Sequence, residues 1–86
     1  MISLIVYSKP DCPYCEKFIA VMEHQELTFV EYKLGSQFSE KEFYQEFGEG
    51  ATFPQVVLDG YGDRLHLGGC QDSINYLQKE KICCTI

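Results

Sequence analysis

The order of apolar and polar residues predicts a strand, a helix and a second strand in the first third of the chain. Residues 2–7 are apolar and rich in β-branched side chains, which is typical of a buried strand. A helix is predicted from Pro13 to about Glu26, because apolar side chains recur there on one face. These are Cys15, Phe18, Ile19 and Met22. Residues 27–33 alternate as a second strand, expected to be parallel to the first because a helix crosses between them.

A short second helix is predicted in the middle of the chain. Ser39 and Glu42 have the spacing of a capping box, in which each side chain accepts a hydrogen bond from the other's backbone. Phe43 and Phe47 would then face inward, and Gly48 is suited to end the helix.

The last third of the chain predicts a hairpin followed by a helix. Residues 55–58 and 64–67 have the composition of strands, and residues 59–63 join them in a turn that looks longer than usual. Residues 72–81 are expected to be helical. The apolar positions of this helix are Ile74, Tyr76 and Leu77. The predicted order is therefore strand, helix, strand, helix, strand, strand, helix.

The composition indicates one small folded domain over residues 1–86. A chain that is 45% hydrophobic, with six Phe and six Tyr, can form a packed core but has no length for a second domain. No apolar segment reaches the roughly 20 residues needed to span a bilayer, and no basic, apolar leader opens the sequence. We therefore expect a cytoplasmic protein that does not act at a membrane.

Charge and cysteine content narrow the class of function. The formal net charge of -6 would repel a phosphate backbone, and no cluster of Lys or Arg offsets it, so nucleic acid is not an expected partner. Five cysteines are an odd number for a secreted disulfide scaffold. Reduced thiols that take part in chemistry fit this composition better.

Two cysteines lie at the junction between the first strand and the first helix. Cys12 would sit among the unpaired N–H groups at the positive end of the helix dipole, and Lys9 adds a nearby positive charge. We therefore predict a lowered pKa for the Cys12 thiol. Cys15 lies one helical turn further on, at a spacing that permits a disulfide, and belongs to the apolar stripe. This predicts Cys12 as the attacking thiol and Cys15 as the less exposed resolving thiol.

A zinc site or an inert structural pair are the alternatives to redox chemistry. The remaining candidate ligands do not show the usual spacing of a zinc site. They are Cys70, Cys83, Cys84, His24 and His66. No metal is therefore expected, and the two histidines are expected to have no chemical role.

Three motifs together resemble the dithiol glutaredoxins. They are Cys12-Pro13-Tyr14-Cys15 after a strand, Thr52-Phe53-Pro54 before the hairpin, and Gly68-Gly69-Cys70-Gln71-Asp72 before the last helix. The resemblance covers essentially the whole chain. It implies the thioredoxin fold, an α/β architecture with a four-stranded mixed sheet flanked by three helices, and the predicted element order agrees with it.

The same resemblance implies a groove for glutathione beside the cysteines. Pro54 would be the family's cis-proline, with the Phe53 backbone pairing with the extended tripeptide. Lys9 would bind the glycine carboxylate, Tyr14 would form a wall, and Lys41 would share the role of Lys9 because Ala51 replaces an arginine common in relatives. The γ-glutamyl end would contact Gly69, the Cys70 and Gln71 amides and the Asp72 carboxylate.

Each of these residues also has a simpler interpretation. Lys9 and Lys41 would then be solvated charges and Tyr14 a surface aromatic. Asp72 would be only a helix N-cap, and Cys70 a small buried hydrophobe.

The function implied is a glutathione-dependent thiol–disulfide oxidoreductase, expected to be monomeric, that reduces protein disulfides and glutathione mixed disulfides. Ribonucleotide reductase is a common client of the family. Two alternatives stay open: a thioredoxin-like carrier reduced by a flavoprotein reductase, and a glutathione-ligated iron–sulfur carrier with Cys12 as ligand. Pro13 argues against the second, because cluster-holding relatives usually have a smaller residue there. Cys83 and Cys84 have no counterpart that we can assign.

Overall fold

Four strands and three helices follow one another in the predicted order. The structure is a computed structural model, and it describes residues 3–60 and 62–82. The elements are β1 (Ser3–Ser8), α1 (Pro13–His24), β2 (Phe29–Lys33), α2 (Glu40–Phe47), β3 (Gln55–Gly60), β4 (Asp63–Gly68) and α3 (Cys70–Lys79). The expectations about Ile2, Cys83 and Cys84 lie outside the described residues.

The strands form one mixed sheet in the order β2-β1-β3-β4. β1 pairs in parallel with β2, so that Leu4 lies opposite Phe29, and the predicted parallel pairing is confirmed. β3 runs antiparallel to both β1 and β4. This is the four-stranded mixed sheet with three helices that the thioredoxin fold requires, and the predicted fold class is confirmed.

The hairpin differs from the prediction. β3 extends to Gly60 and β4 begins at Asp63, so only residues 61 and 62 separate the strands, and the expectation of a long turn was wrong. The reason is that Asp59 pairs with Arg64, and Gly60 with Asp63, across the antiparallel ladder. Residues with turn composition adopt strand geometry when a partner strand satisfies their backbone groups.

The sheet has a hydrophobic cluster on each face. Because successive side chains of a strand point to opposite faces, β1 contributes Leu4 and Val6 to one cluster and Ile5 and Tyr7 to the other. The first cluster packs against α1 and α3 and includes Phe18, Met22, Val56, Ile74 and Leu77. The second packs against α2 and includes Phe38, Phe43 and Val57. Both faces of a sheet this small are therefore covered.

The predicted capping box of α2 is present. The Ser39 Oγ accepts a hydrogen bond from the Glu42 N–H at 3.2 Å, and the Glu42 Oε1 accepts one from the Ser39 N–H at 3.0 Å. Phe43 is fully buried and Phe47 partly buried, as their spacing predicts. Gly48 follows the helix with φ of +96°, a conformation that favours glycine. The capping box thus orients the aromatic face of α2 towards the sheet.

None of the helices within residues 3–60 and 62–82 has the length and apolar character needed to cross a bilayer.

Candidate active site

The two motif cysteines, Cys12 and Cys15, lie at the start of α1, a few residues after the end of β1. Cys12 is the N-cap of the helix, with extended backbone, and Pro13 occupies the first helical turn, where its missing N–H leaves no hydrogen bond unmade. The Cys15 N–H donates to the Cys12 Sγ at 3.2 Å. The two sulfurs form a disulfide, with the Cα atoms 5.2 Å apart. Cys15 is 2% exposed and Cys12 5% exposed, so both are buried in this oxidised state.

A second segment, residues 52–55, places Pro54 in the lining of the same cavity as Cys12. The peptide bond between Phe53 and Pro54 is cis, and Pro54 is fully buried. The Gln55 side chain anchors the segment, because its Nε2 donates to the Thr52 carbonyl at 2.8 Å while its Oε1 is 2.6 Å from the His66 Nε2. The sequence assigned no chemical role to His66, and this contact gives it a structural one.

A groove of about 580 Å³ lies between these two segments and the start of α3. Its lining includes eight of the site residues predicted from the sequence: Lys9, Cys12, Tyr14, Phe53, Pro54, Gly69, Cys70 and Gln71. Tyr14 is 64% exposed at its edge. Five further lining residues were not nominated: Asp11, Pro13, Tyr44, Ala51 and Thr52. Asp11, Pro13 and Thr52 adjoin a nominated residue in the chain, and Ala51 is one residue further away. Tyr44 reaches the groove from α2, and no local motif marks it.

Three nominated residues do not line this groove. Cys15 faces a separate cavity on the side of β2, which also contains Ser8 and Glu31. Lys41 borders a neighbouring cavity of about 620 Å³ that shares Tyr44 with the groove.

Asp72 is the third such residue, and its proposed N-cap role is not found. α3 starts at Cys70, two residues earlier than predicted, with Gly69 as its N-cap, so Asp72 lies inside the first turn. Gly69 has extended backbone at the N-cap and forms no side-chain capping hydrogen bond. Asp72 still places a carboxylate at the positive end of the α3 dipole.

The groove is lined by one cation, Lys9, one carboxylate, Asp11, and the thiol of Cys70. The Lys9 Nζ lies 5.2 Å from the centroid of the Phe53 ring. Cys70 is 7% exposed, and burial raises the pKa of its thiol, opposed by the positive charge of Lys17. Cys70 is therefore protonated at neutral pH and is a poor nucleophile. Within the described ranges, no group of three or more His, Cys, Asp or Glu side chains is arranged to hold a metal ion.

A cysteine pair at the start of a helix, with the first cysteine as N-cap, next to a cis-proline on a four-stranded mixed sheet, defines the thiol–disulfide oxidoreductases of the thioredoxin fold. Comparison with protein families specifies the class further. The family model described as Glutaredoxin matches residues 4–61, and the chain belongs to the glutaredoxin family. Thiol–disulfide oxidoreductase activity is the activity of that family.

Individual relatives agree with this assignment. Glutaredoxin 1 of Rickettsia prowazekii is 31% identical over 80 residues, which cover 91% of this chain and 79% of the relative. The solution structure of glutaredoxin from Brucella melitensis has a TM-score of 0.63 and 30% identity, covering 93% of this chain and 82% of its own. The crystal structure of glutaredoxin 1 from Francisella tularensis, complexed with cacodylate, has a TM-score of 0.71. It covers 95% of this chain and 98% of its own at 20% identity, and supports the fold alone.

Proposed function

We propose that this protein is a glutathione-dependent oxidoreductase that reduces glutathione mixed disulfides and protein disulfides. The observation that carries the proposal is the groove itself, which places Cys12 beside Lys9, Phe53 and the first residues of α3. Its volume of about 580 Å³ lies within the usual range of roughly 300–1,000 Å³ for small-ligand sites. Glutathione is a tripeptide with two carboxylates and one ammonium group, and the groove offers the Lys9 ammonium, the Asp11 carboxylate and the first residues of α3.

Each end of glutathione has a partner of suitable chemistry. We assign the glycine carboxylate to Lys9, and the γ-glutamyl carboxylate to the backbone N–H groups of Cys70 and Gln71 in the first turn of α3. Asp72, two residues into that turn, would attract the γ-glutamyl ammonium group. Lys41 lies beyond Tyr44 and is assigned only to a ligand that extends past the groove.

The backbone of Phe53 is available to the middle of the tripeptide. Among residues 3–60 and 62–82, no hydrogen bond uses the N–H or the C=O of Phe53. An extended peptide can therefore pair with it as an added strand does. Tyr14 would cover the opposite side of the ligand.

With a glutathionylated protein, the Cys12 thiolate attacks the glutathione sulfur. A disulfide forms between Cys12 and glutathione, and the protein thiolate leaves and takes up a proton. A second glutathione thiolate then attacks the sulfur of the bound glutathione. This step produces glutathione disulfide and restores the Cys12 thiolate.

With a protein disulfide, Cys12 attacks one sulfur and forms a mixed disulfide with the protein. Cys15 then attacks the Cys12 sulfur, which releases the protein dithiol and leaves the disulfide between Cys12 and Cys15. The structure holds this oxidised form. Two glutathione molecules return the pair to the dithiol and leave as glutathione disulfide. We further propose a single-domain, cytoplasmic monomer, with ribonucleotide reductase as a protein substrate to be tested.

A glutathione-coupled disulfide reduction assay on the wild type and single-cysteine variants tests the proposal. We expect Cys12→Ser to abolish turnover, and Cys15→Ser to keep activity on glutathionylated substrates while losing most activity on protein disulfides. The matched control is Cys83→Ser/Cys84→Ser, which removes two thiols outside the motif and should keep full activity. Full activity in Cys12→Ser would refute the mechanism. Turnover with a flavoprotein reductase but not with glutathione would instead identify a thioredoxin-like carrier.

A further inference from the structure

The side chain of Phe53 has a fixed position in the groove. Its ring stacks on the Phe43 ring, with centroids 4.0 Å apart and planes 8° from parallel. Phe43 is 1% exposed and belongs to the cluster between α2 and the sheet. Phe38 lies on the same wall, with its centroid 6.3 Å from that of Phe53. One face of the Phe53 ring is thus held by the aromatic core.

The Phe53 ring also contacts the groove's cation. The Lys9 Nζ lies 5.2 Å from the ring centroid, within the distance of about 6 Å at which a cation is attracted to an aromatic face. Within residues 3–60 and 62–82, the one ion pair joins Arg64 to Asp59, so no carboxylate holds Lys9 there. Among the described residues, the Phe53 ring is therefore the attractive contact recorded for this exposed ammonium.

An aromatic ring is well suited to hold a cation that must bind an anion. A carboxylate at the same place would neutralise the ammonium and occupy its N–H donors. A ring attracts the cation through its quadrupole and accepts no conventional hydrogen bond, so the ammonium keeps its charge and its donors for a ligand. Holding a flexible lysine near its bound position also reduces the entropy lost on binding.

We propose that the Phe53 ring is a positioning group for Lys9: it holds the ammonium at the groove, beside Cys12, and so strengthens binding of the glutathione carboxylate. This inference rests on the proposed function, because it takes glutathione as the ligand. It assigns to the side chain of residue 53 a role separate from the backbone pairing already described. At an exposed site such a contact contributes about a 2- to 5-fold change in affinity.

A double-mutant cycle separates this role from packing. The dissociation constant of S-methylglutathione, which cannot exchange thiols, would be measured by NMR titration for the wild type, Phe53→Leu, Lys9→Met and the double variant. We expect Phe53→Leu to weaken binding about 2- to 5-fold when Lys9 is present and to have no effect in the Lys9→Met background. Phe53→Tyr, which keeps the ring, should bind as the wild type does.

A ring with altered electrostatics provides a second variant that does not depend on a change of shape. Replacing Phe53 by pentafluorophenylalanine keeps the stack on Phe43 but removes the negative ring face, and should weaken binding as Phe53→Leu does. Phe29→Leu and Lys33→Met are the matched controls, because they make the same changes outside the groove and Phe29 packs on the opposite face of the sheet from Phe43, and both should keep the wild-type affinity.

The outcomes distinguish this inference from the proposed function. Equal weakening by Phe53→Leu in both backgrounds, or no weakening in either, would overturn the positioning role while leaving glutathione as the ligand. A wild type with neither affinity for S-methylglutathione nor glutathione-dependent turnover would overturn the proposed function itself.

Discussion

Cys12, Cys15 and Cys70 are chemically distinct thiols because each has a different backbone and solvent environment. Cys12 caps α1 and accepts the Cys15 N–H, so its thiolate would be stabilised once the disulfide is reduced. Cys15 lies inside the first turn of α1 and is buried. Cys70 lines the same groove as Cys12, but burial raises the pKa of its thiol. The local surroundings therefore select one nucleophile.

Alkylation of the reduced protein at increasing pH would test this difference. We expect Cys12 to react with iodoacetamide with an apparent pKa below about 8.5, the value of an ordinary cysteine. Cys70 should react slowly at neutral pH and gain reactivity only at a pH above the pKa of an ordinary cysteine, because burial raises the pKa of its thiol. Mass spectrometry of peptides containing each cysteine gives both profiles.

The same shift has a consequence for stability. Burial of the neutral Cys70 thiol is fully favourable below the ordinary pKa and is lost as the pH rises through the raised value. As the pH rises from the ordinary pKa through the raised one, Cys70→Ala should therefore lose less of its free energy of unfolding than the wild type, as urea denaturation at each pH would measure. Rapid alkylation of Cys70 at neutral pH in the folded protein would contradict this account.

At the scale of single elements, the local sequence of α2 was sufficient to predict its start, its buried face and its end. The capping box, the two phenylalanines at helical spacing and the final glycine are all within one short segment, and all three predictions are confirmed. α3 and the hairpin were less predictable. The start of α3 depends on Gly69 as its N-cap. The ends of the hairpin strands depend on the pairing between β3 and β4.

Removing the cap of α2 should measurably destabilise the protein. Ser39→Ala leaves the Glu42 N–H without its acceptor, and we expect a loss of about 1 kcal/mol in the free energy of unfolding. Ser36→Ala, an exposed serine in the preceding turn, is the matched control. Urea denaturation of both variants gives the comparison. An equal loss in the two would show that the capping bond contributes nothing to stability.

At the scale of the whole molecule, the two faces of the sheet have different relations to the site. The cluster under α1 and α3 supports the helix that presents Cys12. The cluster under α2 supports Phe53 through Phe43, and so reaches the ligand side of the groove. One substitution made on each face would separate these contributions.

Phe18→Leu and Phe43→Leu form such a pair, because both rings are buried and lie on opposite faces of the sheet. We expect each to cost about 1–3 kcal/mol in the free energy of unfolding, measured by urea denaturation. Only Phe43→Leu should also weaken S-methylglutathione binding, because it removes the ring on which Phe53 stacks. Equal weakening by Phe18→Leu would show that the groove responds to core packing in general.

The sequence by itself determined the order of the elements, the cap of α2 and the placement of Cys12 and Cys15 at the start of a helix. Each of these depends on interactions between residues a few positions apart, and such interactions leave a readable pattern. The tertiary structure alone decided the strand ends in the hairpin, the presence of Tyr44 in the groove and the contact of Lys9 with Phe53. The last two join residues far apart in the chain, which meet because β1 pairs with β3 and α2 packs on the sheet. The hairpin ends instead depend on the ladder between β3 and β4, which turn composition alone does not reveal.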